Sequence, residues 1–341
     1  MPPRVTRAVT AAACVLLVLN LSVWAAGAPP GAVLRLVLAG TLGSGYGVGQ
    51  LLAKATPLLF TGAAVALALR AGLFNIGAEG QGGLGILCAA VCGAWLPAGT
   101  PWLLALPLAL LAAALGGGSL GALAGWLRGR FGTHEVLSTL MLNGLVAVLT
   151  TWLYGGPLRV GEQVHTRVIA PGARLPLAAS FAPALRGSGL NLAFALGIVC
   201  VALAGLYLRS TRGGLALRAL GASPGAAEAL GVDPVRTATR AMALSGALAG
   251  LVGAHYVLGV KGFAEQGMGA GVGFTGIAVA LLGALRPGGI VLAALFFGLL
   301  AQGGLVVNAL VPADVLAVAQ AAVIIAVAAL GAGLRRGEST P

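Results

Sequence analysis

The sequence predicts an all-α, polytopic integral membrane protein with about ten transmembrane helices. Hydrophobic residues make up 59% of the chain and charged residues only 8%, and the mean hydropathy is +1.00. A soluble domain carries about 25% charged residues, so this composition is typical of a protein surrounded by lipid. Apolar runs of roughly 20 residues, enough to cross a bilayer, recur along the chain. Residues 1–341 are therefore predicted to form a single transmembrane domain.

The predicted spans follow these apolar runs in chain order. They cover residues 8–26, 50–69, 82–96, 102–127, 136–154, 190–208, 241–260, 271–285, 289–310 and 314–330. Arg4 and Arg7 precede the first run, which at about 19 residues is longer than a signal-peptide core, so we expect a retained helix. The apolar piece at 33–38 and the glycine-rich turn from Gly43 to Gly49 predict a re-entrant or interfacial element on the external side.

The distribution of lysine and arginine predicts that both termini are cytoplasmic. With the N-terminus inside, seven of the 20 basic residues fall in external segments and the other thirteen are cytoplasmic. The seven are Arg35, Lys54, Arg159, Arg167, Arg174, Arg186 and Lys261. Four prolines between residues 155 and 189 exclude a spanning helix there. The chain is thus expected to have an external loop at about 155–189 and a cytoplasmic loop at about 209–240.

Several functional classes are disfavoured by the sequence. The net charge of +12 comes from arginines spaced singly or in small groups between apolar runs, which indicates membrane topology rather than nucleic-acid binding. The only lysines, Lys54 and Lys261, do not lie in a G-x-x-x-x-G-K-[ST] loop, so any ATP would be hydrolysed by a partner. The four cysteines lack the spacing of a metal site, and no hydrolase motif is present. We therefore expect a transport subunit without a metal or cofactor, and not an enzyme.

The segment from Arg70 to Gly83 is the most informative part of the chain. It contains five glycines, each of which weakens a helix by about 1 kcal/mol relative to alanine. Asn75, Glu79 and Gln81 add polar groups between two apolar spans. A broken helix whose backbone lines a cavity and a tight cytoplasmic hairpin with a solvated Glu79 are both consistent with this pattern.

A short helix is predicted within the cytoplasmic loop, from Ser223 to Gly231. Ser223 can cap it, Pro224 suits its first position and Gly231 suits its end. An isolated helix of this length is marginal in water, so it needs a packing partner. That partner is either another protein or the rest of this chain.

Two further polar residues lie within predicted spans. His255 stands beside Tyr256 at membrane depth, where an ionisable group is a functional candidate by default, although satisfied helix packing is the alternative. Asn143 can bond either to a neighbouring helix or to a hydroxyl of a solute.

A short sequence recurs in the two halves of the chain. Thr61–Leu67 reads TGAAVAL and Thr275–Leu281 reads TGIAVAL. Duplicated halves are common in transporters, but chance is a rival explanation in a chain so rich in alanine, valine and leucine.

Four segments together resemble permeases of the nucleoside and simple-sugar branch of ATP-binding cassette importers, within the branched-chain amino acid and ribose permease superfamily. They are residues 70–81, 135–143, 211–232 and 273–283. The resemblance covers most of the chain from Thr56 to about Gly304. Ala284–Pro287 is a departure from it, because a more polar turn is expected there.

The resemblance implies a permease subunit in the inner membrane that gives nucleosides or related simple sugars an alternating-access path. It further implies a cytoplasmic ABC ATPase, a second permease subunit in a heterodimer, and an extracytoplasmic substrate-binding protein. The substrate path is expected at Asn75, Glu79, Gln81, Asn143 and His255. ATPase coupling is expected at Arg218, Ser223, Ala226, Ala227, Glu228, Leu230 and Gly231, with Ala226, Ala227 and Leu230 forming the docking face.

Two rival functions stay open on the residues alone. An ion-coupled secondary transporter of a small polar solute would normally have acids at membrane depth, and only Glu79 and Asp314 come near. A membrane enzyme is the second rival, because intramembrane catalytic sites need not follow the familiar motifs.

Overall fold

The computed structural model describes residue 24 and residues 30–308, and within them the protein is a bundle of α-helices. The helices are α1 (Pro30–Leu42), α2 (Gly45–Arg70), α3 (Ala78–Trp95), α4 (Trp102–Phe131), α5 (Glu135–Gly155), α6 (Ala193–Ser210), α7 (Arg212–Ala222), α8 (Pro224–Ala229), α9 (Pro234–Gly250), α10 (Val272–Leu282) and α11 (Pro287–Val307). A π-helix, Ala254–Lys261, continues α9. In this part of the chain, six helices are long and apolar enough to cross a membrane. The predicted all-α membrane class is confirmed, while the spans at 8–26 and 314–330 and both termini lie outside the described residues.

The glycine-rich turn before α2 is shorter than the sequence predicts, so its predicted bounds, Gly43 to Gly49, are wrong. Only Gly43 and Ser44 interrupt the helices, because Ser44 caps α2 by accepting a 3.0 Å hydrogen bond from the N–H of Gly47. Gly47 lies inside α2 and packs against the backbone of Thr41, where an added Cβ would lie 2.7 Å from the carbonyl oxygen. The glycine therefore serves close helix packing rather than a turn.

Helix α4 packs against α9 with almost no side chain between the two backbones. A Cβ added to Gly117 would lie 2.8 Å from Cα of Gly250, and one added to Gly121 would lie 3.2 Å from Cα of Gly246. Glycines spaced by four residues on facing helices allow such close contact in membrane proteins. The α4–α9 pair is thus held by backbone contact along several turns.

Helix α2 forms the centre of the bundle. Its residues from Ala53 to Ala68 are almost all buried, and Leu59 and Phe60 are completely shielded from solvent. It packs against α9, α10 and α11, among others. The two copies of the repeated sequence meet here, because Gly62 of α2 faces Val279 of α10 and Thr61 donates a 3.2 Å hydrogen bond to the carbonyl of Val272.

Two predicted spans have different bounds in the structure. The span at 241–260 begins earlier, at Pro234, because Asp233 caps α9 through a 3.0 Å bond from the N–H of Arg236. The span at 271–285 is shorter, since α10 has only 11 residues and a length of about 16 Å. That is roughly half of a hydrocarbon core of about 30 Å, so α10 is a half-helix.

The long loop between α5 and α6 is held to the chain by backbone hydrogen bonds. It contains three short 3₁₀ turns, at Pro171–Ala173, Ala178–Ser180 and Pro183–Leu185. The N–H groups of Thr166, Ile169 and Leu175 donate to carbonyls of Ala264, Gly262 and Leu258, respectively. The loop thus packs on the end of the π-helix and on the segment that follows it.

Candidate functional site

A buried pair of amides lies where the chain bends between α2 and α3. Nδ2 of Asn75 donates to Oε1 of Gln81 at 2.7 Å, and Nε2 of Gln81 donates back to Oδ1 of Asn75 at 3.1 Å. Asn75 is 0% exposed and Gln81 is 1% exposed. Because buried polar groups are costly unless they are paired, this reciprocal pair fixes the shape of the bend.

Ser245 of α9 joins the same network. Asn75 also donates a 2.8 Å bond to Oγ of Ser245, and Ser245 donates a 2.6 Å bond to the carbonyl of Ala64 in α2. The network therefore connects the bend to α9 and to the central helix. Sequence reasoning missed Ser245, because nothing in the local sequence distinguishes its hydroxyl from those of Thr237 and Thr239 on the same helix.

Asn143 of α5 fastens the bend from another side. Its Oδ1 accepts a 2.9 Å bond from the N–H of Gly80, and its Nδ2 donates at 3.1 Å to the carbonyl of Ile76. The sequence left open whether Asn143 bonds to a neighbouring helix or to a solute. In the structure it bonds from α5 to the bend and to the start of α3. An asparagine here satisfies one donor and one acceptor of the irregular backbone.

Glu79 has defined partners on α10. Its Oε1 accepts a 2.6 Å bond from the N–H of Gly271, and its Oε2 accepts a 2.8 Å bond from the N–H of Gly273. The half-buried carboxylate thus reaches the first turn of a helix about 190 residues further along the chain. Glu79 is thus bonded to backbone groups of another element, and Gly271 and Gly273 are contacts that sequence reasoning missed.

His255 lies on the π-helix and has a partner of its own. It is only 4% exposed, and its Nδ1 lies 3.1 Å from Nδ2 of Asn191, which makes Nδ1 the acceptor. Asn191 also accepts a 3.0 Å bond from the N–H of Ala193 at the start of α6. Among the five predicted path residues, the structure therefore brings Asn75, Glu79, Gln81 and Asn143 together at the bend and gives His255 a separate contact.

The predicted coupling helix is present as α8. Oγ of Ser223 accepts a 3.4 Å bond from the N–H of Ala226, Pro224 stands at the first position, and Gly231 has a φ of 82°. Arg218, Ala226 and Glu228 are exposed, and Leu230 is 82% exposed. Ala227 is only 2% exposed, so its expected place on an outward docking face is wrong, because that side of α8 packs on the permease itself.

Helix α7 touches the bend between α2 and α3 directly. A Cβ added to Gly221 of α7 would lie 2.8 Å from the amide nitrogen of Gly72 and 2.8 Å from the carbonyl carbon of Ala71. Gly72 itself has a φ of 73°, a left-handed conformation that glycine adopts without strain. The end of α7 therefore rests on the backbone that leads into the Asn75–Gln81 pair.

The described residues form an all-helical bundle with six apolar helices of membrane-spanning length and a buried polar bend, which is the architecture of a multi-pass membrane protein. In residues 30–308, no group of three or more His, Cys, Asp or Glu side chains is placed to hold a metal ion. Residues 47–328 match the model of the family described as branched-chain amino acid transport system / permease component. The chain belongs to this family of multi-pass cell-membrane permeases, and the resemblance inferred from the sequence is confirmed.

Three relatives are similar to this chain over most of their length. The guanosine ABC transporter permease protein NupP of Bacillus subtilis is 36% identical over 297 residues, covering 85% of this chain and 83% of that protein. The nucleoside ABC transporter permease protein NupB of Lactococcus lactis is 32% identical, covering 84% of this chain and 80% of that protein. The glucose ABC transporter permease protein TsgB13 of Haloferax volcanii is 32% identical, covering 84% and 77%.

Proposed function

We propose that this chain is the permease subunit of an ATP-driven importer that carries nucleosides across the cell membrane. The observation that carries the proposal is the similarity, over four fifths of the chain, to permeases named for guanosine and for nucleosides. The similar glucose permease makes a simple sugar the second candidate cargo. In this reading the chain has about ten spans and cytoplasmic termini.

The chemistry of the bend supports a neutral solute. Asn75, Gln81 and Asn143 offer amides and Ser245 offers a hydroxyl, which are groups that hydrogen-bond to sugar hydroxyls or to base edges. The amides of Asn75 and Gln81 are bonded to each other and that of Asn143 to backbone groups, so a solute that reaches the bend exchanges these bonds for its own. The path is thus proposed to open at Asn75 and Gln81, with Glu79, Asn143 and His255 beside it.

The surface of α7 and α8 supports docking of a cytoplasmic ABC ATPase. Leu215 is 59% exposed and Leu230 is 82% exposed, on a segment that also presents Arg218 and Glu228. Large exposed apolar side chains with a charged rim are typical of a protein interface. Because Gly221 rests on Gly72, movement of α7 is passed directly to the polar bend.

A second permease subunit and an extracytoplasmic binding protein complete the proposed assembly. The exposed faces of α4 and α5 are apolar, and on α5 the side chains of Leu145 and Val148 are 65% and 70% exposed. These faces are available for contact with lipid or with a sister subunit. The family resemblance favours a heterodimer. The part of the loop from residue 171 to 192, which contains the three 3₁₀ turns, is the proposed receiving surface for the binding protein.

Reconstitution tests the proposed function. The chain is coexpressed with the ATPase, sister permease and lipoprotein that we expect to be encoded beside it, purified, and placed in vesicles with labelled guanosine, adenosine or glucose. ATP-dependent uptake of a nucleoside, lost when the ATPase is inactivated and insensitive to ionophores, is expected. Uptake that follows a proton or sodium gradient without ATP would instead establish a secondary transporter, and preferred uptake of glucose would establish the sugar.

A further inference from the structure

The N-terminus of the half-helix α10 has no cap of its own. Its N-cap residue, Gly271, has a φ of 83° and no side chain to accept a bond. The first N–H groups of any helix lack partners within the helix and need an acceptor from elsewhere. In α10 the N–H of Gly271 and that of Gly273 both point to the carboxylate of Glu79, at 2.6 and 2.8 Å.

Glu79 lies at the N-terminal ends of two helices at once. It stands in the first turn of α3, whose N-cap, Gly77, also makes no side-chain bond. Helix N-termini carry a partial positive charge, so a carboxylate between two of them is stabilised by both. Hydrogen bonds from N–H groups to an ionised carboxylate are roughly twice as strong as bonds between neutral groups.

The spacing between α3 and α10 is fixed by a glycine. A Cβ added to Gly273 would lie 2.7 Å from the carbonyl carbon of Ala78, and it would also meet the backbone of Glu79. Only a residue without a side chain lets α10 come this close. Two of the four segments that carry the family resemblance, 70–81 and 273–283, therefore meet in space at this contact.

The C-terminal end of α10 is held by Arg70, the last residue of α2 before the bend. The guanidinium of Arg70 donates a 3.2 Å bond to the carbonyl of Leu285. Ala284 and Leu285 have φ values of 51° and 57°, a conformation that costs roughly 1–2 kcal/mol for each residue with a side chain. A base at the C-terminal end and an acid at the N-terminal end both complement the dipole of α10.

We propose that Glu79 is a positioning residue that joins α10 to α3, so that the half-helix moves with the polar bend during transport. This proposal rests on the proposed permease function. Glu79 acts through the backbone of Gly271 and Gly273, and its carboxylate is not a ligand of the transported solute. Half-helix N-termini in transporters often face the substrate, but here that end is occupied by the chain's own carboxylate.

The test compares Glu79→Gln, Glu79→Asp and the control Glu162→Gln in the reconstituted importer. Glu162 has a fully exposed carboxylate in the loop between α5 and α6. For Glu79→Gln we expect turnover to fall about tenfold while KM stays within about twofold, because a charged acceptor of two bonds becomes a neutral acceptor of one. Glu79→Asp keeps the charge and is expected to recover part of the turnover, and the control is expected to match the wild type.

A distance measurement that needs no solute accompanies the kinetics. Spin labels are placed at the exposed positions Phe274 on α10 and Trp95 at the end of α3, in a chain without its native cysteines. The distribution of distances between the two labels is expected to be narrow for the wild type and broader for Glu79→Gln. If Glu79→Gln does not accumulate, Glu79→Asp is measured instead, with partial broadening expected.

The outcomes separate this proposal from the proposed function. An unchanged distance distribution, or a raised KM with normal turnover, would overturn the positioning role and make Glu79 a solute contact or a bystander. Failure of the wild type to carry nucleosides or sugars would overturn the proposed function, while the distance comparison would still decide whether Glu79 holds α10.

Discussion

Asn75 and Ser245 stand 170 residues apart in the sequence, and the amide of Asn75 donates a 2.8 Å hydrogen bond to the hydroxyl of Ser245 in the interior of the bundle. Both side chains are 0% exposed. The bond therefore ties the bend between α2 and α3 to the middle of α9. This relationship explains why the bend keeps one shape although its glycines favour many.

Replacing Asn75 by leucine tests that bond and the proposed path together. The substitution leaves both polar atoms of Gln81 without the partners that they have now, and an unsatisfied buried group costs about 1–3 kcal/mol. We expect a lower melting temperature in detergent and impaired nucleoside uptake, with membrane insertion and ATPase association retained. Ser245→Ala is the milder control, because the Asn75–Gln81 pair survives it. Unchanged uptake kinetics in Asn75→Leu would count against a path at this bend.

The predicted topology is tested with single cysteines in a cysteine-free background. Ser188 is a poor position for labelling because it is 6% exposed, whereas Ser180 in the same loop is exposed. Ser180→Cys is expected to react with an impermeant thiol reagent in intact cells, and Ser223→Cys only after the membrane is opened. Labelling of Ser223→Cys in intact cells would reverse the orientation.

The docking surface is best tested at Leu230. Leu230→Arg places a charge where an apolar contact with the ATPase is proposed, and burying an unpaired charge costs several kcal/mol. Copurification of the ATPase and coupled transport are expected to be lost, while the isolated permease keeps its melting temperature. Glu228→Gln, at the rim, is the matched control and is expected to change little. Normal copurification with Leu230→Arg would remove α8 from the interface.

Ala227→Arg is expected to behave differently from Leu230→Arg. Because Ala227 is buried against the permease, an arginine there destabilises the chain whether or not the ATPase is present. A reduced melting temperature of the isolated permease is the expected result. An unchanged melting temperature would mean that α8 can swing away from the permease.

The contact between α4 and α9 predicts that leucine is tolerated very differently at two glycines, Gly121 in the contact and Gly144 outside it. Gly121→Leu forces a side chain into the backbone of α9, where Cα of Gly246 is 3.2 Å from an added Cβ, so we expect loss of folded protein. Gly144→Leu on α5 is the control, because nothing lies within 4 Å of its added Cβ. Yield and melting temperature after purification are the measurements, and equal values for both variants would contradict the described packing.

Composition and apolar run length were sufficient to predict the helical membrane class and most of the helices between residues 50 and 307. They could not predict where the helices begin and end. Asp233 and Ser44 extend helices into segments that looked like loops, because a capping side chain offsets the poor helix propensity of its neighbours. Likewise, Gly47 reads as a turn residue in the sequence but serves packing in the structure.

The candidate site was predicted in part, for a physical reason. Asn75, Glu79, Gln81 and Asn143 stand out because polar residues are rare in this chain, and the bend does bring them together. Their partners, Ser245, Gly271 and Gly273, lie on other helices, and no local pattern indicates which helices touch. The buried position of Ala227 was missed because spacing alone does not tell which face of a one-turn helix rests on its own protein.

The glycine contact between α4 and α9 also limits how the molecule can move. Side chains between two helices can change rotamer and let one helix slide along the other, but two backbones in direct contact have no such intervening layer. The α4–α9 pair is therefore expected to behave as one rigid body. The change of shape that transport requires then falls to elements outside this pair, among them the 11-residue half-helix α10, which lies between the polar bend and α11.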